Sequence, residues 1–454
     1  MDIINPATNK VITSLKSDTK DSVNVKIQEL KSGQSKWAKT TLTHRLECIK
    51  SFRDDLLQNI DKYANDLTQE VGKPVFESVN EINAACERID FFLNNLEKVL
   101  QVESFAEDTA TKEELGYDPL GVIANISAWN YPYLVGVNVF IPAILCGNAV
   151  AYKPSEYSAL TGRNIEQALY NSKVPQDVFK CLVGDGSVGQ ALLDSDLDGY
   201  YFTGSKQTGV YIAQQVASKL VPIGLELGGK DPAYVTQNIS DVDGVAEGLV
   251  SGAFYNNGQS CCSVERIYVH ESHYDKFVKA FVKHTQELVV GDPQDSNTTN
   301  GAITRSQHLA FLEFQVKDAV SKGASLLTGG KIIEADGNFF EPTVLVDVNE
   351  DMSVMVDESF GPIIGIQKVS SDEEAVKLMN ASEFGLTASV FTEDESQARD
   401  LMRKISAGNV YMNCCDRVSP NLPWAGRRMS GLGASLSKHG IYAFTQTKGF
   451  HFRK

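Results

Sequence analysis

The chain lacks any surplus of positive charge: 42 Lys and Arg face 58 Asp and Glu, a formal net charge of −16. Nucleic acids and anionic membranes are held by clustered cations, so neither is expected as a partner. An anionic cofactor gripped by backbone N–H groups and a few placed cations stays open. No long hydrophobic run is present either. The most apolar stretch, residues 131–152, is interrupted by Asn138, Pro142 and Asn148, short of the roughly 20 predominantly apolar residues of a membrane span. Residues 1–16 carry Asp2 and no apolar segment ahead of a small-residue cleavage site, so no secretory leader is expected. The eight cysteines (Cys48, Cys86, Cys146, Cys181, Cys261, Cys262, Cys414 and Cys415) show neither disulfide-framework spacing nor paired CxxC ligands. Vicinal cysteines are poor zinc sites and His270 with His273 is a lone HxxH, so no metal is expected. These absences describe a reduced, soluble, cytoplasmic protein.

What is present is a globular composition, 42% hydrophobic and 22% charged over 454 residues. That length suits about three domains at roughly 150 residues each, with cores that need no staples. In residues 20–101 apolar side chains recur every three or four positions, through Leu46, Ile49, Phe52 and Leu56 and again through Val79, Ile82, Ile89, Phe92 and Leu96. That is the period of amphipathic helices. From about Gly121 the grammar changes. The β-prone runs GVIANIS, NAVAYKPS, FKCLVGDG, GYYFTGS and VPIGLELGG alternate with helical stretches. Such alternation implies a parallel, doubly wound sheet with its ligand beyond the strands' carboxyl ends. A second series, from ERIYVH through PIIGIQKV and LTASVF to GNVYMN, implies a second α/β domain, with a soft boundary near residues 228–230. The β-prone terminus IYAFTQTKGFHF either joins a neighbouring subunit's sheet or pairs within its own chain.

Three strand ends invite a nucleotide. Gly184-Asp185-Gly186-Ser187-Val188-Gly189 is a formal GxGxxG, but the strand about twenty residues on ends in YFTGSK without the ribose-binding acid. The loop is either a cofactor contact or a plain tight turn. NAVAYKPSE offers Lys153 and Glu156 beyond a strand, a cation and a carboxylate suited to ribose hydroxyls. FTGSKQTG puts Gly204 and Ser205 at a strand-to-helix turn, where helix-start amides meet phosphate. The chemistry centres on Asn256-Asn257-Gly258-Gln259-Ser260-Cys261-Cys262, where a cysteine among small polar residues reads as an exposed nucleophile or as a buried space-filler. Glu226 in LELGGK offers a carboxylate base.

These motifs are not independent, for together they resemble the NAD(P)-dependent aldehyde dehydrogenase superfamily along nearly the whole chain. In the family's order come SAWNYP around Asn130, YKPSE around Lys153, FTGS around Ser205, LELGGK around Glu226, NNGQSC around Cys261, ESFGP around Glu358, and PWAGRRMSGLG near the end. The resemblance implies an α/β fold: a Rossmann-type cofactor domain (1–102 and 118–228), a catalytic α/β domain (229–429) and oligomerisation strands (103–117 and 430–454) of a homodimer or homotetramer. It implies Cys261 as the nucleophile that forms a thiohemiacetal with the aldehyde, Asn130 as oxyanion donor, and Glu226 as the base that hydrolyses the resulting thioester. Trp129, Lys153, Glu156, Gly204, Ser205, Glu358 and Phe360 become cofactor contacts, with NAD favoured over NADP because a carboxylate at Glu156 repels a 2′-phosphate. Glu226 disfavours transfer to coenzyme A, and Cys261, Glu226 and Asn130 together disfavour a catalytically silent member of the fold.

Two departures stand out. Many family members carry a Lys eight or nine residues after the oxyanion Asn and a Glu just after the terminal SGxG. Here Val139 and Ser435 occupy those places, so the usual proton-relay pair is expected to be absent. By the same resemblance Tyr131, Leu134, Ser260, Cys262 and Trp424 border the aldehyde tunnel. Arg417 nearby either binds the distal carboxylate of a succinate-semialdehyde-type substrate or pairs plainly with Asp416.

Overall fold

The computed structural model describes residues 1–107 and 110–454. A hairpin of β1 (Asp2–Asn5) and β2 (Lys10–Ser14) leads into α1 (Lys20–Trp37), α2 (Leu42–Gln58), α3 (Ile60–Val71) and α4 (Val75–Val99). Thr19 and Thr41 cap α1 and α2 by accepting from the N–H groups of Ser22 and His44, donors the helix itself leaves free. α3 stops at Gly72, whose φ of +90° is a left-handed conformation glycine adopts without a Cβ penalty. α4 is enclosed on more than its apolar face, for Glu77, Glu81 and Arg88 are buried along with Ile82, Ile89 and Phe92.

After β3 (Glu103–Glu107) and β4 (Thr111–Pro119) the alternation begins: β5 (Val122–Ile126), α5 (Pro132–Leu145), β6 (Ala149–Lys153), α6 (Ala159–Asn171), β7 (Phe179–Cys181), α7 (Gly186–Asp194), β8 (Gly199–Thr203), α8 (Lys206–Val216) and β9 (Ile223–Glu226). These strands lie parallel in the order β7-β6-β5-β8-β9. β5 and β6 are buried at every residue, as strands covered on both faces must be. Strand order reverses between β5 and β8, so a crevice opens beyond their carboxyl ends.

The second sheet draws on β10 (Asp231–Val235), α9 (Val242–Phe254), β11 (Val264–His270), α10 (Tyr274–Gln286), α11 (His308–Ser321), β12 (Ser325–Thr328), the small hairpin β13 (Ile332–Ile333) and β14 (Phe339–Phe340), β15 (Thr343–Val346), α12 (Ser353–Val356), β16 (Ile363–Val369), α13 (Asp372–Met379), β17 (Thr387–Phe391), α14 (Glu395–Lys404) and β18 (Asn409–Met412). Its order is β12-β15-β16-β11-β10-β17-β18, parallel except for β12.

The terminal segment departs from expectation. β19 (Gly431–Leu432) pairs antiparallel with β9, covering an edge that would otherwise expose unpaired backbone groups, and α15 (Ser437–Tyr442) packs on α4 and α5. Only β20 (Thr445–Arg453) joins β4 and β3 in a three-stranded sheet, so this end pairs within its own chain. Residues 430–454 are thus divided between two sheets. Of the strand region 103–117, residues 108 and 109 lie outside the described residues, and β4 runs on to Pro119. No helix among the described residues is long and apolar enough to cross a membrane.

Candidate active site

Two cavities meet at Cys261 and Asn130, which line both. The first, of about 580 Å³, occupies the crevice beyond β5, β6 and β8 and is walled by Trp129, Lys153, Glu156, Gly204, Ser205, Glu226, Glu358 and Phe360. The second, of about 950 Å³, lies against α4, α5 and α9 and is walled by Tyr131, Leu134, Ser260, Cys262, Arg417 and Trp424 among others.

The loop that carries Cys261 is wound tightly. Asn256, Asn257 and Gly258 are successive left-handed residues, with φ of 52°, 55° and 67°, and Asn is among the few side chains that tolerate this region. A Cβ on Gly258 would lie 2.4 Å from the Gly361 carbonyl oxygen, so only glycine fits. The turn is held by donation from Asn256 N–H to Glu77 (3.1 Å) and from Asn257 Nδ2 to the Ala302 carbonyl (3.2 Å). Gly229 packs so close that a Cβ there would lie 2.6 Å from the Cys261 carbonyl oxygen. Cys261 ends half-buried at the junction, while Cys262 is buried and donates from Sγ to Asp416 Oδ1 at 2.9 Å. Hydrogen bonding with Cys261 and burial push the Cys262 thiol well up, so it stays protonated and inert. Cys48, Cys86, Cys146 and Cys181 are buried and line neither cavity.

Asn130 Nδ2 donates to the Gln259 carbonyl at 3.0 Å. That bond fixes the amide plane and leaves its second N–H for the junction. Behind it, Lys73 Nζ donates to the Asn130 carbonyl (2.6 Å) and to Glu81 Oε2 (2.7 Å), and lies 3.9 Å from the centre of the Tyr131 ring. Glu81 Oε1 accepts from Tyr133 N–H at 2.8 Å. Both side chains of the Lys73–Glu81 pair are 0% exposed.

Glu226 closes β9, paired with Thr203 on one side and Gly431 on the other. Its Oε1 accepts from the Ser435 hydroxyl at 3.0 Å, whereas Oε2 is shut from solvent without a partner. Burial pushes its carboxyl up to about 8, against the Ser435 hydrogen bond and the Arg88 charge, which lower it. Ser435 is locked by two backbone hydrogen bonds of 2.8 Å to Trp424. The position that breaks the family pattern therefore still touches Glu226. Val139 is buried with no polar role, but beside it Asn138 holds Arg88, a cation supplied by α4 instead of α5.

In the first cavity the expected cofactor contacts come together. Lys153 is buried, its Nζ donating to the Pro154 carbonyl at 3.1 Å, and burial lowers its pKa. Ser205 caps α8 by accepting from Thr208 N–H, so that helix points its free amides at the crevice. The Gly184 to Gly189 loop is neither a plain turn nor a full phosphate cradle: Gly186 and Gly189 line the cavity, but Asp185 already caps α7 by accepting from Ser187 N–H at 2.9 Å. Glu358 accepts from Gly229 N–H at 3.1 Å, and a Cβ on Gly228 would collide with its carboxylate at 2.2 Å. Phe360, with φ of 48°, meets Trp129 edge-on at 5.4 Å. Two carboxylates, Glu156 and Glu358, thus flank a helix start and a buried lysine, a set that fits a dinucleotide's two riboses and pyrophosphate.

The supporting residues went unread in the sequence. Glu265 on β11 accepts from the N–H groups of Ser359 (2.7 Å) and Phe360 (3.0 Å) and from Lys230, and His308 bonds the Ser359 carbonyl at 2.8 Å. Two adjacent charges inside the strand VERIYVH, Glu265 and Arg266, were the available signal, since a strand in mid-sheet has no solvated face. The Asp416–Arg417 ion pair weighed above does not form. Asp416 takes the Cys262 thiol, and Arg417 is exposed at the cavity rim.

The model of the aldehyde dehydrogenase family matches residues 1–450. A betaine aldehyde dehydrogenase of Vibrio vulnificus is 31% identical over 98% of this chain and 92% of its own. A succinate-semialdehyde dehydrogenase [NADP(+)] of Mycobacterium bovis is 31% identical over 98% of both chains. Among solved structures, an NAD-dependent aldehyde dehydrogenase from Sinorhizobium meliloti superposes with a TM-score of 0.97 at 29% identity, over 100% of this chain and 91% of that one. The chain belongs to the aldehyde dehydrogenase family. It is an enzyme that oxidises an aldehyde to the carboxylic acid with a nicotinamide cofactor.

Proposed function

We propose that Cys261 is the nucleophile, that Asn130 Nδ2 and the Cys261 backbone N–H stabilise the oxyanion, and that Glu226 activates the hydrolytic water. The observation that carries this reading is the meeting of the two cavities at Cys261. The thiolate forms a bond to the carbonyl carbon while the π pair moves to oxygen, where two prepositioned donors receive it. The walls of the first cavity would hold a nicotinamide, which would supply the hydride acceptor; loss of hydride from the thiohemiacetal leaves a thioester on Cys261. Glu226 then takes a proton from water as its oxygen adds to the thioester carbon, the C–S bond breaks, and the Cys261 thiolate is regenerated with release of the acid.

The cofactor is read as NAD, held by Trp129, Lys153, Glu156, Gly204, Ser205, Glu358 and Phe360. Support comes from Glu156, a carboxylate on the cavity wall that enters no ion pair among the described residues. A homodimer or homotetramer through the β3-β4-β20 sheet is supported by its exposed Phe105, Phe450 and Phe452. Eight free cysteines support a cytoplasmic setting.

Cys261→Ser tests the chemistry: turnover, read as NADH absorbance, should vanish while NAD binding by calorimetry persists. Near wild-type turnover would overturn the assignment. NAD should exceed NADP in kcat/KM by about tenfold or more, one repelled charge being worth over a kcal/mol, and Glu156→Ala should narrow that ratio. Equal use of both cofactors by the wild type would remove the NAD reading.

A further inference from the structure

The buried cations among the described residues are matched, with two exceptions: Lys153 in the first cavity, whose Nζ meets only the Pro154 carbonyl, and one cation in the second. Lys73 pairs with Glu81 and Lys230 with Glu265. Arg266 has no carboxylate, but Nε, Nη1 and Nη2 all donate, to the carbonyls of Lys230, Leu378 and Met379 and to the Tyr268 hydroxyl. Arg88, only 8% exposed, spends Nη1 alone, on Asn138 Oδ1 at 3.0 Å and the Leu134 carbonyl at 3.3 Å. Among the described residues its Nε and Nη2 make no hydrogen bond and it enters no ion pair. That free edge belongs to a residue in the wall of the 950 Å³ cavity that ends at Cys261.

We propose that Arg88 is the specificity-determining cation of the substrate cavity, and that the preferred aldehydes carry a carboxylate at the end remote from the carbonyl. The inference rests on the reading of Cys261 as nucleophile. An Nε–Nη2 edge presents two parallel donors, the geometry that binds a carboxylate bidentately. The carboxylates that could have served internally are engaged: Glu81 by Lys73 and Tyr133 N–H, Asp416 by the Cys262 thiol. At the rim the exposed Glu87, Asp241 and Glu393 face the exposed Arg417, so the attraction for an anion comes from Arg88 at the inner wall and not from the mouth. Burial lowers the Arg88 guanidinium to about 10, which leaves it charged at neutral pH. Nε and Nη2 are not shut from solvent, so water can meet them in the free enzyme, and a substrate carboxylate exchanges those contacts for charge-assisted hydrogen bonds. Asn138 and Leu134, from α5, act as the anchor that turns the free edge to the cavity.

The test compares succinate semialdehyde with butanal, equal in chain length, on the NAD-loaded enzyme. Wild type should favour the semialdehyde in kcat/KM. Arg88→Met should lower the ratio of the two kcat/KM values about 100-fold, mainly through KM for the semialdehyde; the loss of the Arg88 charge near Glu226 slows both aldehydes alike and cancels in that ratio, and charge-assisted hydrogen bonds account for such a factor. Arg88→Lys, which keeps charge but not the fork, should fall between. Equal losses on both aldehydes would overturn the proposal and make Arg88 an electrostatic support of Cys261 and Glu226. A wild-type measurement stands even if the variants misfold: succinate should inhibit butanal oxidation about tenfold more tightly than butyrate, and equal inhibition would overturn the proposal. Oxidation of butanal with no preference for the acid sinks this inference alone. Failure to oxidise either aldehyde overturns the active-site reading with it.

Discussion

Glu81 and Glu226 stand in the walls of one site and are treated in opposite ways. Glu81 has both oxygens met, by Lys73 Nζ at 2.7 Å and Tyr133 N–H at 2.8 Å, and the ion pair braces the backbone of Asn130. Glu226 has one hydroxyl on Oε1 and nothing on Oε2. A carboxylate whose acceptors are filled builds structure but has no lone pair to offer a water. One left half-met has that capacity, at the cost of being hard to ionise, and burial accordingly pushes Glu226 up to about 8. Glu77, also buried and also about 8, accepts from Asn256 N–H but lines neither cavity, so a raised pKa alone does not mark the base.

The largest effect should come from the structural half of this comparison. Lys73→Met leaves Glu81 buried without its countercharge, which typically costs about 3–5 kcal/mol. Denaturant unfolding should show that loss, and turnover should fall with it as Asn130 loosens. A change within about 1 kcal/mol would mean that Glu81 is no more a structural group than Glu226. The chemical half should respond more gently and in a different observable. As the proposed base Glu226 works only when ionised, so hydrolysis should rise with pH and level off above about 8. Ser435→Ala removes a hydrogen bond that favours the ionised form, so the rising limb should move to higher pH by roughly one unit, with little change in stability. A limb that stays put, or moves to lower pH, would break the account of Ser435.

The residues proposed to touch reactants were legible because their chemistry is carried in short contiguous peptides. The left-handed Asn-Asn-Gly turn before Cys261, the glycines of LELGGK that let backbone approach Cys261 and Glu358, and the strand ends at Lys153 and Ser205 each need particular residue types at adjacent positions. The parallel alternation was legible for the same reason, since strands buried on both faces are continuous apolar runs. What escaped lies on α4. Glu77, Glu81, Ala84 and Arg88 recur at intervals of three and four residues, and beside the apolar stripe of Ile82, Ile89 and Phe92 they read as a solvated face. Enclosure by α5 and the Cys261 loop converts that face into the site's inner wall at Glu81, Ala84 and Arg88, with Glu77 bound behind to Asn256 N–H, and periodicity within one helix carries no trace of it. Arg417 was placed correctly at the cavity by its peptide, and the structure adds that it is exposed there. The division of residues 430–454 between two sheets was hidden as well, because a two-residue strand such as Gly431–Leu432 has no period to read.

The central claim, that the half-met carboxylate of Glu226 hydrolyses a thioester on Cys261, is tested most directly by one turnover of Glu226→Gln. The variant, mixed with excess NAD and aldehyde in a stopped-flow instrument, should release a burst of NADH close to one equivalent per site and then stall. Intact-mass analysis at that point should find the acyl group on the protein, and peptide mapping should place it on Cys261. A variant that turns over steadily at the wild-type rate, or that stalls with no acyl group on Cys261, would contradict the account.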